Sequence, residues 1–161
     1  ELVPGDIVPV VASKGVGYGA SMDRLIRFDL GAMSAEAQWL LLLLLGFQVK
    51  HLAGDYLLQT PFMLSGKGRY GHPGGLVHAG IHGALSFGLL ALTGVGAGVL
   101  AGLALAETVL HYHLDWAKER WLRRQALTTA DPRFWLALGL DQFLHHLTYL
   151  GMAALVVVTL T

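Results

Sequence analysis

The chain has 161 residues, 54% of them hydrophobic and only 14% charged, with a mean hydropathy of +0.54, whereas a soluble domain is roughly 45–50% apolar and about 25% charged. Eleven Lys and Arg against eleven Asp and Glu leave no basic excess for phosphates, so no nucleic-acid partner is expected, and high hydrophobicity without net charge excludes disorder. The lack of cysteine excludes disulfides, thiolate nucleophiles and Cys-ligated zinc or iron–sulfur, and apolar surface in excess of what so small an interior can hide points to a polytopic membrane protein.

Residues 1–32 are rich in Gly, Val and Pro and read as an extended N-terminal segment outside the membrane domain. Met33-Ser34-Ala35-Glu36 reads like a natural start, so 1–32 is expected to be an upstream extension, a processed region or an expression remnant; it carries no secretory signal pattern. Residues 33–161 are expected to form the membrane domain. Its first apolar segment, 37–58, has about the 20 residues that a spanning helix needs, with Ser34 as N-cap and Trp39 as interface anchor. Pro61 and the glycine-rich run 66–75 are expected to end it in a loop. A second segment runs over 76–92 and breaks at Thr93-Gly94. The third starts at Val95 and continues into the charged stretch 118–124. Asp131-Pro132 opens a fourth, with proline in its first turn.

Helices are therefore predicted near 37–59, 76–93, 95–122 and 132–160. The fold class is all-α: an antiparallel bundle of four transmembrane helices joined by short loops. A soluble bundle is excluded because LLLLL and ALVVV leave no polar face. The glycines and alanines of GVGAGVLAGLALA suit close helix approach. Lys67 and Arg69 in the first loop, and Lys118, Arg120, Arg123, Arg124 and Arg133 around the third, place both loops in the cytoplasm by the positive-inside rule. Arg24 and Arg27 argue the other way.

Ionisable residues inside membrane helices are costly and point to function. Here they recur at four-residue spacing: His51, Asp55 and Gln59; His78 and His82; His111 and Asp115, with Glu107 one turn earlier; Asp141 and His145. Such spacing puts each set on one helix face. In an antiparallel bundle the four sets fall in the same leaflet, on the cytoplasmic side. Imidazole and carboxylate without thiolate is a ligand set for zinc, iron or manganese. His51, Asp55, His78, His82, His111 and Asp115 are the candidate ligands of such a divalent metal. Asp141, His145 and Lys118 are the candidate catalytic groups, and Gln59 and Gln142 are candidate orienting residues. Three buried aspartates need a counter-charge, either Lys118 or a metal. His72 reads as a solvated loop residue, and His113 and His146 as off-site neighbours. Glu107 reads as protonated or paired with the second segment. Tyr112, Trp116, Trp121 and Trp135 read as an interfacial belt.

The fragments HLAGDYLLQT (51–60), HAGIH (78–82), HYHLDWAK (111–118) and DQFLHH (141–146) resemble, in order, a family of small bacterial inner-membrane proteins known as domain of unknown function 3307. The resemblance covers residues 37–155 and implies a multi-pass protein of the bacterial inner membrane with a polar centre. No activity comes with it. The chain is also loosely similar to membrane proteins held to be metal-dependent hydrolases.

The function expected is a membrane-embedded, metal-dependent hydrolase of a lipid-linked or phosphorylated substrate. The metal would activate water and polarise a phosphoryl or carbonyl oxygen, and Lys118, Arg120, Arg123 and Arg124 would attract an anionic head group. The lipid bilayer is one expected partner; a second copy or a larger membrane complex is another. Proton or metal transport is the alternative, weakened because the polar groups occupy one leaflet. Cofactor holding is weakened by three aspartates beside the histidines. A non-enzymatic accessory subunit would also suit the small glycine-rich helices.

Overall fold

The computed structural model describes residues 33–161; the expected extended segment 1–32 lies outside the described residues. Every element of the described residues is helical. Helix α1 (Ala35–Leu52) runs into one π-helical turn (Ala53–Leu57), and α2 (Pro61–Gly66) is short. Three long helices follow: α3 (Pro73–Leu90), α4 (Ala97–Arg124) and α5 (Pro132–Leu160).

Three of the helices begin by one local rule. Thr60, His72 and Asp131 each accept a hydrogen bond from a backbone N–H two or three residues on, and each is followed by proline. The cap satisfies an orphan donor, and proline removes another while presetting φ. His72 is thus a helix cap, not a solvated loop residue, and the expected loop after Pro61 contains helix α2. The first helix also differs from expectation. It does not run as one α-helix to residue 59: the π turn interrupts it, and Gln59 turns back to donate to the Asp55 carbonyl at 2.8 Å. Gln59 therefore finishes the helix end.

Three helical stretches, Ala35–Leu57, Ala97–Arg124 and Pro132–Leu160, are long and apolar enough to cross a membrane. At 1.5 Å per residue they reach roughly 34, 42 and 44 Å, beyond the ~30 Å hydrocarbon core. Helix α3, with 18 residues including His78 and His82, reaches about 27 Å. Leu42, Leu45, Val49, Phe143, Leu147 and Leu150 stand exposed on α1 and α5. An apolar exterior of this kind is normal against lipid and abnormal against water.

The interior divides by polarity along the helices. At one end Leu43, Phe47, Leu90, Leu100, Leu103, Met152 and Val156 form an apolar core, capped by Tyr149 stacked on Phe47 at 5.1 Å. The other end is filled by charged and imidazole side chains. Helices α3 and α4 approach closely because Gly83 has no side chain: a Cβ there would lie 1.9 Å from Thr108 Oγ1 and 3.1 Å from the Ala104 carbonyl. Gly94, at φ +80°, makes the turn between them.

Candidate metal centre

Four helical segments contribute one pair each at i and i+4, three of them His with Asp and the α3 pair His78 with His82, and each pair faces inward at the polar end. His78, His82, His111 and His145 are at most 2% exposed, and Asp115 and Asp141 are also buried. Asp55 reaches the cluster from the π turn. Beside it, Gly54 lets the α3 backbone bring His82 close: a Cβ on Gly54 would lie 2.3 Å from His82 Nε2.

Two groups of donor atoms result. Asp55, His78, His82 and His111 each offer one atom within 4.8 Å of the others, and His111, Asp115 and His145 do the same. Asp55 Oδ1 lies 3.1 Å from His78 Nε2 and 3.4 Å from His82 Nε2. His78 Nε2 lies 3.1 Å from His111 Nε2 and 3.2 Å from Asp115 Oδ2. The His82 and His111 rings stack at 3.7 Å, and His145 meets His111 at 4.2 Å. A tetrahedral ion with bonds of ~2.0–2.1 Å holds its donor atoms roughly 3.3 Å apart, and three of the six separations in the first group, 3.1, 3.4 and 3.1 Å, are close to that value.

The hydrogen-bond account agrees. Several of these approaches are at ion-pair distance but off hydrogen-bond direction. Asp55 Oδ1, His82 Nε2, Asp115 Oδ2 and His145 Nε2 are buried without a hydrogen-bond partner in the protein. A buried polar atom left so costs about 1–3 kcal/mol. Two of these atoms belong to the first donor group and two to the second, and Asp115 Oδ2 is also ion-paired with Lys67; buried carboxylate and imidazole atoms gathered in this way are the chemistry of a cation site.

His51 stands beside this point and belongs to neither donor group. Its Nδ1 meets the Tyr149 hydroxyl at 2.8 Å, and its Nε2 meets Gln142 Oε1 at 3.1 Å and Asp55 Oδ2 at 3.2 Å. It holds the oxygen of Asp55 that faces away from His78. Gln142 also donates to Asp141 Oδ2 at 3.2 Å. Lys118 contacts Asp141 at 3.1 Å and Asp115 at 3.6 Å, so it does supply the counter-charge expected of it.

Several partners were not visible in the sequence pattern. Lys67, counted there as a loop charge, is buried and sits 2.7 Å from Asp115 Oδ2 and 3.9 Å from Asp55 Oδ1. Only Arg69 remains as an exposed basic side chain of that loop. Glu107 pairs with Lys50 of α1, not with the second apolar segment, and Lys50 also lies 4.3 Å over the Tyr149 ring. A lysine within an apolar span was a signal for this pair; Lys67 and Tyr149 offered none. His113 is exposed, bonded to the Val109 carbonyl and to Tyr70, and stands off the site. The His146 ring lies 5.6 Å from that of His51, beside the cluster and outside both donor groups. Tyr112 is buried and accepts from the Gly71 N–H at 2.6 Å, so it packs the loop and is not part of an interfacial belt.

Residues 40–161 match the family described as Protein of unknown function (DUF3307), and the chain belongs to that family. No curated protein and no solved structure matches it.

Proposed function

We propose that this family member is a multi-pass membrane protein in which α1, α3, α4 and α5 all cross the bilayer as an antiparallel bundle around a divalent metal. Contacts in opposite sense along neighbouring helices support the bundle: Phe47 with Tyr149 and His51 with Gln142 for α1 and α5, Gly75 with Tyr112 and Gly83 with Thr108 for α3 and α4. Asp55, His78, His82 and His111 hold the ion. Asp115 and His145 stand ready as further ligands or acid/base groups, and Asp141 with Lys118 orients them. The chemistry best suited to such a centre is hydrolysis of an ester of a lipid-linked or phosphorylated molecule, the metal polarising the oxygen under attack. The location proposed is the bacterial inner membrane, with this end toward the cytoplasm.

The observation that carries the reading is the convergence of four buried or half-buried ligand atoms within 4.8 Å of one another, two of which, Asp55 Oδ1 and His82 Nε2, have no hydrogen-bond partner in the protein. A metal-free network is the second reading, favoured by Lys67 and Lys118 on Asp115. Elemental analysis of the purified full chain decides between them. Near-stoichiometric zinc, iron or manganese, lost in Asp55→Asn, supports the centre; its absence from the parent after supplementation rejects it. With metal present, chelator-sensitive release of phosphate or fatty acid from phospholipid vesicles tests hydrolysis.

A further inference from the structure

Helices α4 and α5 line a groove of about 390 Å³ beside the cluster, within the roughly 300–1,000 Å³ of ligand sites. Leu114 and Leu144 lie toward one end, Trp121 toward the other, and Leu140 on the wall. The lining is apolar almost throughout, and Lys118 and Asp141 also form part of it. Those two residues are also the outer edge of the polar centre, through the contact of Lys118 with Asp115. Both walls belong to helices long and apolar enough to cross a membrane, so the groove faces hydrocarbon. An alkyl chain is what such a surface takes from a bilayer.

The charge of the centre selects the head group. Asp55, Glu107, Asp115, Glu119 and Asp141 are five carboxylates, and Lys50, Lys67, Lys118 and Arg123 are the four cations that pair with them. One negative charge is left over. A divalent cation turns that into one excess positive charge, which burial makes costly until an anion offsets it. We infer that the α4–α5 groove seats the alkyl chain of a membrane amphiphile with a monoanionic head, and that the head meets Lys118 at the edge of the metal centre. This rests on the metal reading for its charge sign and on the groove alone for its chain.

The test uses the full chain in detergent, supplied with zinc, and two probes of equal chain length: lysophosphatidylglycerol, a monoanion, and lysophosphatidylcholine, a zwitterion. Retention of each is read by native mass spectrometry, and metal content is measured on the same samples. The parent should retain the anionic probe at least tenfold better. Ala117→Phe/Ala137→Phe fills the groove without touching the polar cluster; it should reduce retention to the level of the zwitterion while metal content stays unchanged. Equal retention of both probes by the parent, or undiminished retention by the filled variant, overturns the inference. If that variant does not fold, a photoreactive lysophosphatidylglycerol on the parent replaces it. Labelling within 114–121 and 136–144 supports the groove, and labelling elsewhere overturns it. Lack of metal in every sample overturns the metal reading instead, and the filled variant still decides whether the chain occupies the groove.

Discussion

Substituting Gly54 with alanine adds one methyl group at the tightest backbone approach to the candidate centre. The new Cβ would stand 2.3 Å from His82 Nε2, 2.5 Å from its Cε1 and 3.0 Å from its Cδ2, where ordinary contact begins at 3.4 Å. Because three ring atoms are affected, rotation of the imidazole does not relieve the clash. The ring must retreat by about 1.1 Å, the difference between 3.4 and 2.3 Å. Ligand distances in a metal site tolerate only about 0.2 Å, so His82 leaves the donor set. Even an outer-shell defect costs roughly 10–100-fold in metal affinity, and loss of a ligand should exceed that. Stability of the metal-free protein moves less. Overpacking costs roughly 1–3 kcal/mol, but alanine recovers about 0.5–1 kcal/mol over glycine in a helix. The assay is metal per chain by elemental analysis after dialysis against a dilute metal buffer, with thermal unfolding in detergent alongside. Gly80→Ala is the control, since nothing lies within 4 Å of its added Cβ; it should keep the metal and unfold at the same temperature or slightly higher. Full metal occupancy in Gly54→Ala would refute the placement of His82 among the ligands.

Asp55→Asn and Asp115→Asn keep shape and hydrogen bonding but delete the charge that offsets a cation. Each should lower metal content and melting temperature together, an effect that chelator reproduces in the parent; unchanged or raised stability would mean a metal-free network. Lys50→Met and Glu107→Gln each strand a buried charge and should cost about 3–5 kcal/mol in chemical unfolding, whereas the double variant should cost clearly less than their sum. Additive losses would contradict the pairing seen between them. Gly83→Ala drives a methyl into Thr108 and the Ala104 carbonyl and should destabilise by roughly 1–3 kcal/mol, with partial recovery in combination with Thr108→Ala. Cysteines at Arg69 and Leu92, both exposed, should react with an impermeant thiol reagent from opposite sides of the membrane; reaction from one side would exclude a crossing by α3.

What the amino-acid order determined here is what depends on local period and local chemistry. Composition alone indicated the membrane, because an excess of Leu, Val and Ala has nowhere to go in water. The helix start at Pro132 was readable because proline in a first turn acts locally, whereas the same pattern at Thr60-Pro61 and His72-Pro73 reads as loop until the structure shows helices there. The four polar faces, three of His with Asp and one of two His, were readable because residues four apart share a side of any α-helix, whatever surrounds it. The tertiary structure decided everything that depends on which face meets which. Lys50 and Glu107 are 57 residues apart, and His51 and Tyr149 are 98 apart; no local period links them, since rotation and depth of each helix come from packing. Lys67 reads as a loop charge until α2 and α3 fold the loop back over Asp115. The π turn at Ala53–Leu57 is of the same kind. An α-helical continuation was locally acceptable, and the wider turn places Asp55 against His78 and His82 of a different helix.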